Sequence, residues 1–286
     1  MEKSAFNLNS ALMTVPIAMA MMIAVLPTAS AAVQSITVIE CGQAKTTDKS
    51  IFSPGIDEGV ASDIAINCYL IAHDKGLMIW DTGLADGLIN KPEGIVLAGG
   101  KLKIFVKKTL ASQMKELGIK ADEVKHMAFS HMHPDITGNS SAFSAATWYV
   151  QKPEYKAAFS KDPKKYRFNP KTYSGLKDNK TVILQGRRDV FGDGSVVIMP
   201  APGHTPGSQV LYVELPSGPV ILAGDLWAFD SNRTNKTIPD NDFDIEATRK
   251  SRIEIEALAK KTGAKIWVMH DPAQNAALPH APQKVR

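Results

Sequence analysis

Four polar clusters in this chain share one arrangement. His131-Met132-His133-Pro134-Asp135, Gly203-His204, Gly224-Asp225 and His270-Asp271 each follow directly on an apolar run of β-forming residues. Imidazole nitrogens and carboxylate oxygens are the donors expected for zinc and similar divalent cations, and a catalytic site of that kind leaves one coordination position to water. Three neutral imidazoles and a water suffice in principle for hydrolysis, because zinc lowers the pKa of its water toward ~7. One His at a strand end is more often structural than ligating. Four such clusters together point to metal chemistry, since a fold rarely places so many ligand-type residues after strands without use.

Other reactive residue types have plainer readings. Asp81, in Trp80-Asp81-Thr82-Gly83, is expected to hydrogen-bond around the metal loops rather than to bind metal. His73 and His126 read as surface or packing residues, and His280, in a Pro-flanked tail, as a residue without a direct role. Trp227 and Phe229 suit either a substrate pocket or the core. Cys41 and Cys68 are the two cysteines, and either a disulfide or a pair of buried thiols fits them. With no C-x-x-C and no His close by, neither reads as a ligand.

The elements that must position the clusters are short. Ser35 to Glu40, Ile64 to Ala72 and Gly76 to Asp81 read as strands ended by Gly, Asp or Asn. Residues 101–117 place Leu102, Phe105, Val106, Leu110, Met114 and Leu117 at helical spacing, which predicts an amphipathic helix stopped by Gly118. Val124 to Phe129 is a strand that runs straight into the first cluster. Gln151 to Asn179, rich in Lys, Tyr, Pro and Asn, reads as a surface excursion or lid. Strands resume at Thr181 to Leu184, Ser195 to Met199, Val210 to Leu215 and Val220 to Ala223. A helix over Ile245 to Lys261, closed by Gly263, then leads to a last strand, Lys265 to Met269. Strands, helix, strands and helix without an internal repeat suit two packed sheets with helices outside.

Bulk properties agree with a globular protein: 286 residues, 44% hydrophobic and 22% charged. The net charge of +4 comes from scattered residues without long Lys/Arg runs, which argues against nucleic acid as a partner. Lys3, an apolar run from Ala11 to Leu26 and Ala29-Ser30-Ala31 have the order of a secretory signal peptide. Cleavage after Ala31 is expected, which makes residues 1–31 a leader and 32–286 the mature domain, periplasmic or secreted and without stable membrane association.

The clusters resemble the metal-binding motifs of the metallo-β-lactamase superfamily, whose signature is His-x-His-x-Asp-His followed by a separate His, Asp and His. Asn67-Cys68-Tyr69-Leu70-Ile71, Trp80-Asp81-Thr82-Gly83-Leu84, Pro202-Gly203-His204-Thr205-Pro206-Gly207-Ser208 and Ala223-Gly224-Asp225-Leu226-Trp227 resemble its N-acyl homoserine lactonase branch. The resemblance implies an α/β fold, the αββα four-layer sandwich. It assigns His131, His133 and His204 to a first Zn2+, and Asp135 and His270 to a second, with Asp225 bridging. Asp135 is also the candidate catalytic residue, placed to orient the attacking hydroxide.

Two departures from the family pattern stand out. Ile136 occupies the place of the signature's last His and donates no lone pair, so one or two metals per chain are compatible with the sequence. Related lactonases often carry a Tyr soon after the bridging Asp, and Leu226-Trp227-Ala228-Phe229 has no hydroxyl there. The implied reaction is hydrolysis of a lactone or related ester by metal-bound hydroxide, with a small-molecule substrate and N-acyl homoserine lactones first among them. A β-lactam hydrolase and a catalytically impaired periplasmic binding protein are the alternatives, and a homodimer stays open.

Overall fold

The computed structural model describes residues 1–2 and 33–286. The expected leader, residues 1–31, otherwise lies outside the described residues. Strands β1 (Val33–Thr46), β2 (Ser62–His73), β3 (Gly76–Trp80), β4 (Ile95–Leu97), β5 (Leu102–Phe105), β6 (Val124–Ala128), β7 (Thr147–Gln151) and β8 (Thr181–Leu184) form an eight-stranded sheet in the order β4-β5-β1-β2-β3-β6-β7-β8. Strands β9 (Arg188–Asp189), β10 (Val196–Pro200), β11 (Gln209–Leu215), β12 (Gly218–Leu222) and β13 (Lys265–Trp267) form a five-stranded sheet in the order β13-β12-β11-β10-β9. β3, β6, β7 and β8 run parallel, so each join is a crossover carrying a loop or helix, as parallel pairing requires.

The second sheet shows why the layers stack as they do. Val196, Ile198, Leu211, Val213, Val220 and Leu222 face the first sheet and join its core, while the alternating Met199, Val210 and Ile221 face the other way. A strand with apolar side chains on both faces must be covered on both. The outer cover is the helix Ile245–Thr262, whose Ile255 and Ala259 pack on that face. Asp244 caps its start by accepting from the Ala247 N–H at 2.9 Å, and Gly263 ends it at φ 74°. On the first sheet, Leu110 and Met114 of the helix Leu110–Glu116 and Ala157 and Ala158 of the helix Lys152–Ala158 join the main core. Helix, sheet, sheet and helix make the four-layer α/β sandwich expected from the sequence.

Two sequence expectations need correction. The helix expected over 101–117 is a strand followed by a shorter helix: Leu102–Phe105 pairs with Thr46–Gln43 of β1, and only Leu110–Glu116 is helical. The apolar spacing suited a helix, but pairing with a long neighbouring strand outweighed it, and Thr109 restarts the chain as an N-cap, accepting from the Ser112 N–H at 3.1 Å. The excursion from Gln151 to Asn179 is more than a lid. It holds the helix Lys152–Ala158 and buries Glu154, Phe168, Tyr173 and Leu176. The choice left open at the cysteines is resolved, since Cys41 and Cys68, on adjacent strands, form a disulfide with Cα atoms 5.8 Å apart. No described helix is long and apolar enough to cross a membrane.

Candidate metal centre

All four clusters fall at strand ends on one edge of the sandwich: after β6, β10, β12 and β13. The loop after β3 supports the first of them. Asp81, at φ 60°, accepts the Ser130 N–H at 2.6 Å, and Thr82 donates to the Ile136 carbonyl through its N–H at 2.7 Å and its hydroxyl at 2.9 Å. Burial pushes the Asp81 carboxyl well above the usual carboxylate range, against the pull of that Ser130 hydrogen bond. Asp81 thus orients the His131 loop and stands outside the imidazole cluster. On the second cluster, Gly203 lies so close to the helix Ile245–Thr262 that a Cβ would sit 2.3 Å from the Thr248 nitrogen, at a φ of 139° open to glycine.

The six expected site residues converge. His133 Nδ1 stands 2.9 Å from His131 Nε2 and 3.2 Å from His204 Nε2, and ligand atoms of these three buried residues all lie within 4.8 Å of one another. Asp225 spans the gap to the others: Oδ2 is 3.4 Å from His204 Nε2 and 4.0 Å from His131 Nε2, and Oδ1 is 3.0 Å from His270 Nε2. Asp135 Oδ2 lies 3.8 Å from that same His270 nitrogen.

The outer partners of the rings decide what faces inward. His133 Nε2 meets the Tyr166 carbonyl at 3.0 Å, His204 Nδ1 meets Asp242 Oδ1 at 2.8 Å, and His270 Nδ1 meets the Ala65 carbonyl at 2.7 Å. A carbonyl or carboxylate only accepts, so each outer nitrogen carries the proton and the inner nitrogen of a neutral ring presents a lone pair. His131 Nδ1 has the Ser130 hydroxyl at 3.1 Å. Burial holds His131 and His133 well below the ordinary imidazole pKa, which keeps both rings neutral. His133 Nδ1 and His204 Nε2 face each other at 3.2 Å, and two lone pairs that close repel unless a proton or a metal cation lies between them. Asp225 Oδ1 is a buried acceptor whose near neighbour is His270 Nε2 at 3.0 Å. The arrangement fits a divalent metal.

Electrostatics differ across the site. Burial pulls His270 down, but the charges of Asp225 and then Asp135 outweigh it and push it up to about 10. Burial and the neighbouring Asp225 charge raise Asp135, whereas burial of Asp225 itself is overcome by the surrounding imidazoles, which hold it well below the usual carboxylate range. Above the residues opens a cavity of about 200 Å3, walled by Phe52, Ile64, Ile66, Leu102 and Ile104 and also lined by Arg167, Ala228 and Asn241.

Three supporting residues carry no sequence signal. Asp242 orients His204 and accepts from the Thr248 hydroxyl at 2.8 Å. Buried Glu154 ties two metal loops together, accepting from the Met132 N–H at 2.9 Å, the Thr205 hydroxyl at 2.8 Å and the Gly207 N–H at 2.8 Å. Burial pushes its carboxyl up to about 7 even so. Arg167 lines the cleft, where partial loss of solvent lowers its pKa and Asp225, Asp242 and Asp135 are the charges that raise it. All three residues lie far from the clusters they serve, at spacings set only by the fold. The bland readings agree with the structure: His73 is buried against Asp193 and Ser195 and stacked on Phe191, His126 bonds Tyr149, and His280 bonds the Asn275 carbonyl. Trp227 and Phe229 are core residues, and of that stretch Ala228 faces the cavity.

The sequence profile described as "Metallo-beta-lactamase superfamily" matches residues 62–262. The N-acyl homoserine lactonase AttM of Azorhizobium caulinodans is 31% identical over 224 residues, covering 75% of this chain and 84% of that protein. AttM of Rhizobium johnstonii is 32% identical over 244 residues, covering 79% and 89%. Among solved structures, an N-acyl homoserine lactone hydrolase with its product N-hexanoyl-L-homoserine bound at the catalytic metal centre superposes with a TM-score of 0.78 at 24% identity. That match covers 89% of this chain and 100% of that one.

Proposed function

The chain belongs to the metallo-beta-lactamase superfamily, and on that premise we propose that it is a metal-dependent hydrolase that opens the ring of N-acyl homoserine lactones. The observation that carries the proposal is the convergence of ring nitrogens of His131, His133 and His204 beside Asp225, beneath an apolar cavity. The two curated relatives named as lactonases support the substrate class over β-lactams.

His131, His133 and His204 would hold the first metal. Asp135 and His270 would hold a second more weakly, with Asp225 shared. Zinc suits the nitrogen-rich half, and when bound it would polarise a carbonyl and lower the pKa of water toward ~7. The chain's own groups do the rest. Asp135, raised above the ordinary carboxylate range by burial and Asp225, accepts a proton from the attacking water and returns it to the ring oxygen as the ester bond opens. Ile64, Ile66 and Ile104 exclude water from the acyl side of the cavity. The full site is tested by metal analysis and turnover of N-hexanoyl homoserine lactone on protein purified without chelator. At least one zinc per chain is expected, with activity lost on chelation and restored by zinc. Undiminished turnover by metal-free protein, or none by the zinc-loaded protein across a lactone panel, would overturn the reading.

A further inference from the structure

The cleft contains a cation that the metal constellation does not use. Arg167 lines the same cavity as His133, Asp135, His204, Asp225 and His270. Its main-chain N–H donates to the Lys164 carbonyl at 2.8 Å, and among the described residues its guanidinium has no hydrogen bond and no ion pair. Its backbone lies in the left-handed region at φ 63° and ψ 17°, a conformation that an L residue with a Cβ adopts at a cost. Both chain neighbours are anchored on one metal-site imidazole. The Tyr166 carbonyl meets His133 Nε2 at 3.0 Å, and the buried Phe168 ring packs edge-on to His133 at 5.7 Å. The left-handed turn between these anchors therefore sets Arg167 relative to the metal centre.

The opposite wall lacks a donor. Ala228, three residues after Asp225, lines the cavity with a methyl group, and Trp227 and Phe229 are turned into core clusters. Apart from the clustered ligand residues, Arg167 and Asn241 are the polar side chains on the cavity lining, and Asn241 carries no charge. Ester hydrolysis places increasing negative charge on the carbonyl oxygen, and its product is an anion. Water oxygen bonds to the carbonyl carbon, the ring C–O bond breaks with its electron pair on the ring oxygen, and that oxygen takes a proton. The acid so formed releases a proton to solvent, leaving a hydroxy carboxylate. Asp135 and Asp225 both repel that product, and a guanidinium fork on the wall supplies the compensating charge and paired N–H donors.

We propose that Arg167 binds the carbonyl oxygen of the scissile ester and the carboxylate it becomes, in place of a hydroxyl donor after Asp225. The proposal rests on the lactonase reading for the identity of the ester; carboxylate recognition by Arg167 stands apart from it and is measured separately. Arg167→Met and Arg167→Lys keep an unbranched side chain on the same left-handed turn, so their backbone cost matches the native residue. Metal content and thermal unfolding are read first, then the Kd of N-hexanoyl-L-homoserine by calorimetry, then kcat and KM for its lactone.

For Arg167→Met the expected result is native metal content, product binding weakened at least ~10-fold, and kcat/KM lowered about 100-fold mainly through kcat. Arg167→Lys should recover part of both. Native product affinity in a metal-loaded Arg167→Met variant overturns the proposal. Loss of metal in both variants does so as well, because it assigns Arg167 to support of the metal loops. Should the native protein bind the product but open no lactone, the lactonase reading fails, and the affinity difference still decides the role of Arg167.

Discussion

The two halves of the site are built on different physical principles. His131, His133 and His204 are buried rings, and the Tyr166 carbonyl and Asp242 hold the outer nitrogens of His133 and His204, so the direction of those two rings is set before any ion arrives. Asp135, Asp225 and His270 form a charged half in which two carboxylates face one imidazole, with the Asp135 side chain 29% exposed. The first half selects a metal by donor type and geometry, whereas the second attracts positive charge and is satisfied by a proton on His270 as well as by a metal. The difference explains how the second half tolerates isoleucine where the family signature has a histidine.

The largest expected effect comes from removing a donor from the three-imidazole half. His133→Ala should lose the first metal and lower lactone turnover at least ~1000-fold, since His133 is the central one of three imidazole donors and its loss opens the ligand shell. Metal analysis beside turnover checks this, and retained zinc with near-native activity would break the division between the halves. An intermediate effect is expected one bond further out. Asp242→Ala removes the acceptor of His204 Nδ1–H and should weaken zinc affinity about 10- to 100-fold, with Asp242→Asn milder because an amide oxygen still accepts. Competition with a calibrated chelator measures it; equal affinity for all three proteins would mean that packing, not Asp242, orients the ring.

The smallest expected effect is a gain in the charged half. Ile136 is fully buried in the main core, and its carbonyl accepts two hydrogen bonds from Thr82. Ile136→His should raise second-metal affinity a few-fold and up to about 10-fold, while burying a polar ring costs about 1–3 kcal/mol of stability. Metal titration and thermal unfolding of the folded variant give both numbers. Unchanged stoichiometry would show that the charged half lacks more than one donor.

Much of this molecule is legible along the chain because its chemistry is local to strand ends. Each ligand-type cluster follows an apolar run, and alternation along residues such as Val196 to Met199 reflects faces that must both be covered. The strand-end clusters therefore identified the six residues that converge. Local pattern misled at 101–117, where pairing of Leu102–Phe105 with β1 replaced a helix that the spacing favoured. It was silent at Glu154, Arg167 and Asp242, ordinary charged residues in lysine- and aspartate-containing stretches.

The sequence by itself determined which side chains could bind a metal, that they sit where strands end, and that one family donor is replaced by Ile136. Only the tertiary structure decided which ring nitrogen faces inward, because that depends on acceptors at Tyr166, Asp242 and Ala65, residues 33, 38 and 205 positions away from the rings they hold. It also decided that Arg167 stands over the same cavity, and that Cys41 and Cys68 lie close enough to bond. The physical reason is common to all of these. A side chain's chemistry travels with its residue type, whereas its protonation and direction are set by neighbours that folding brings within a few ångströms.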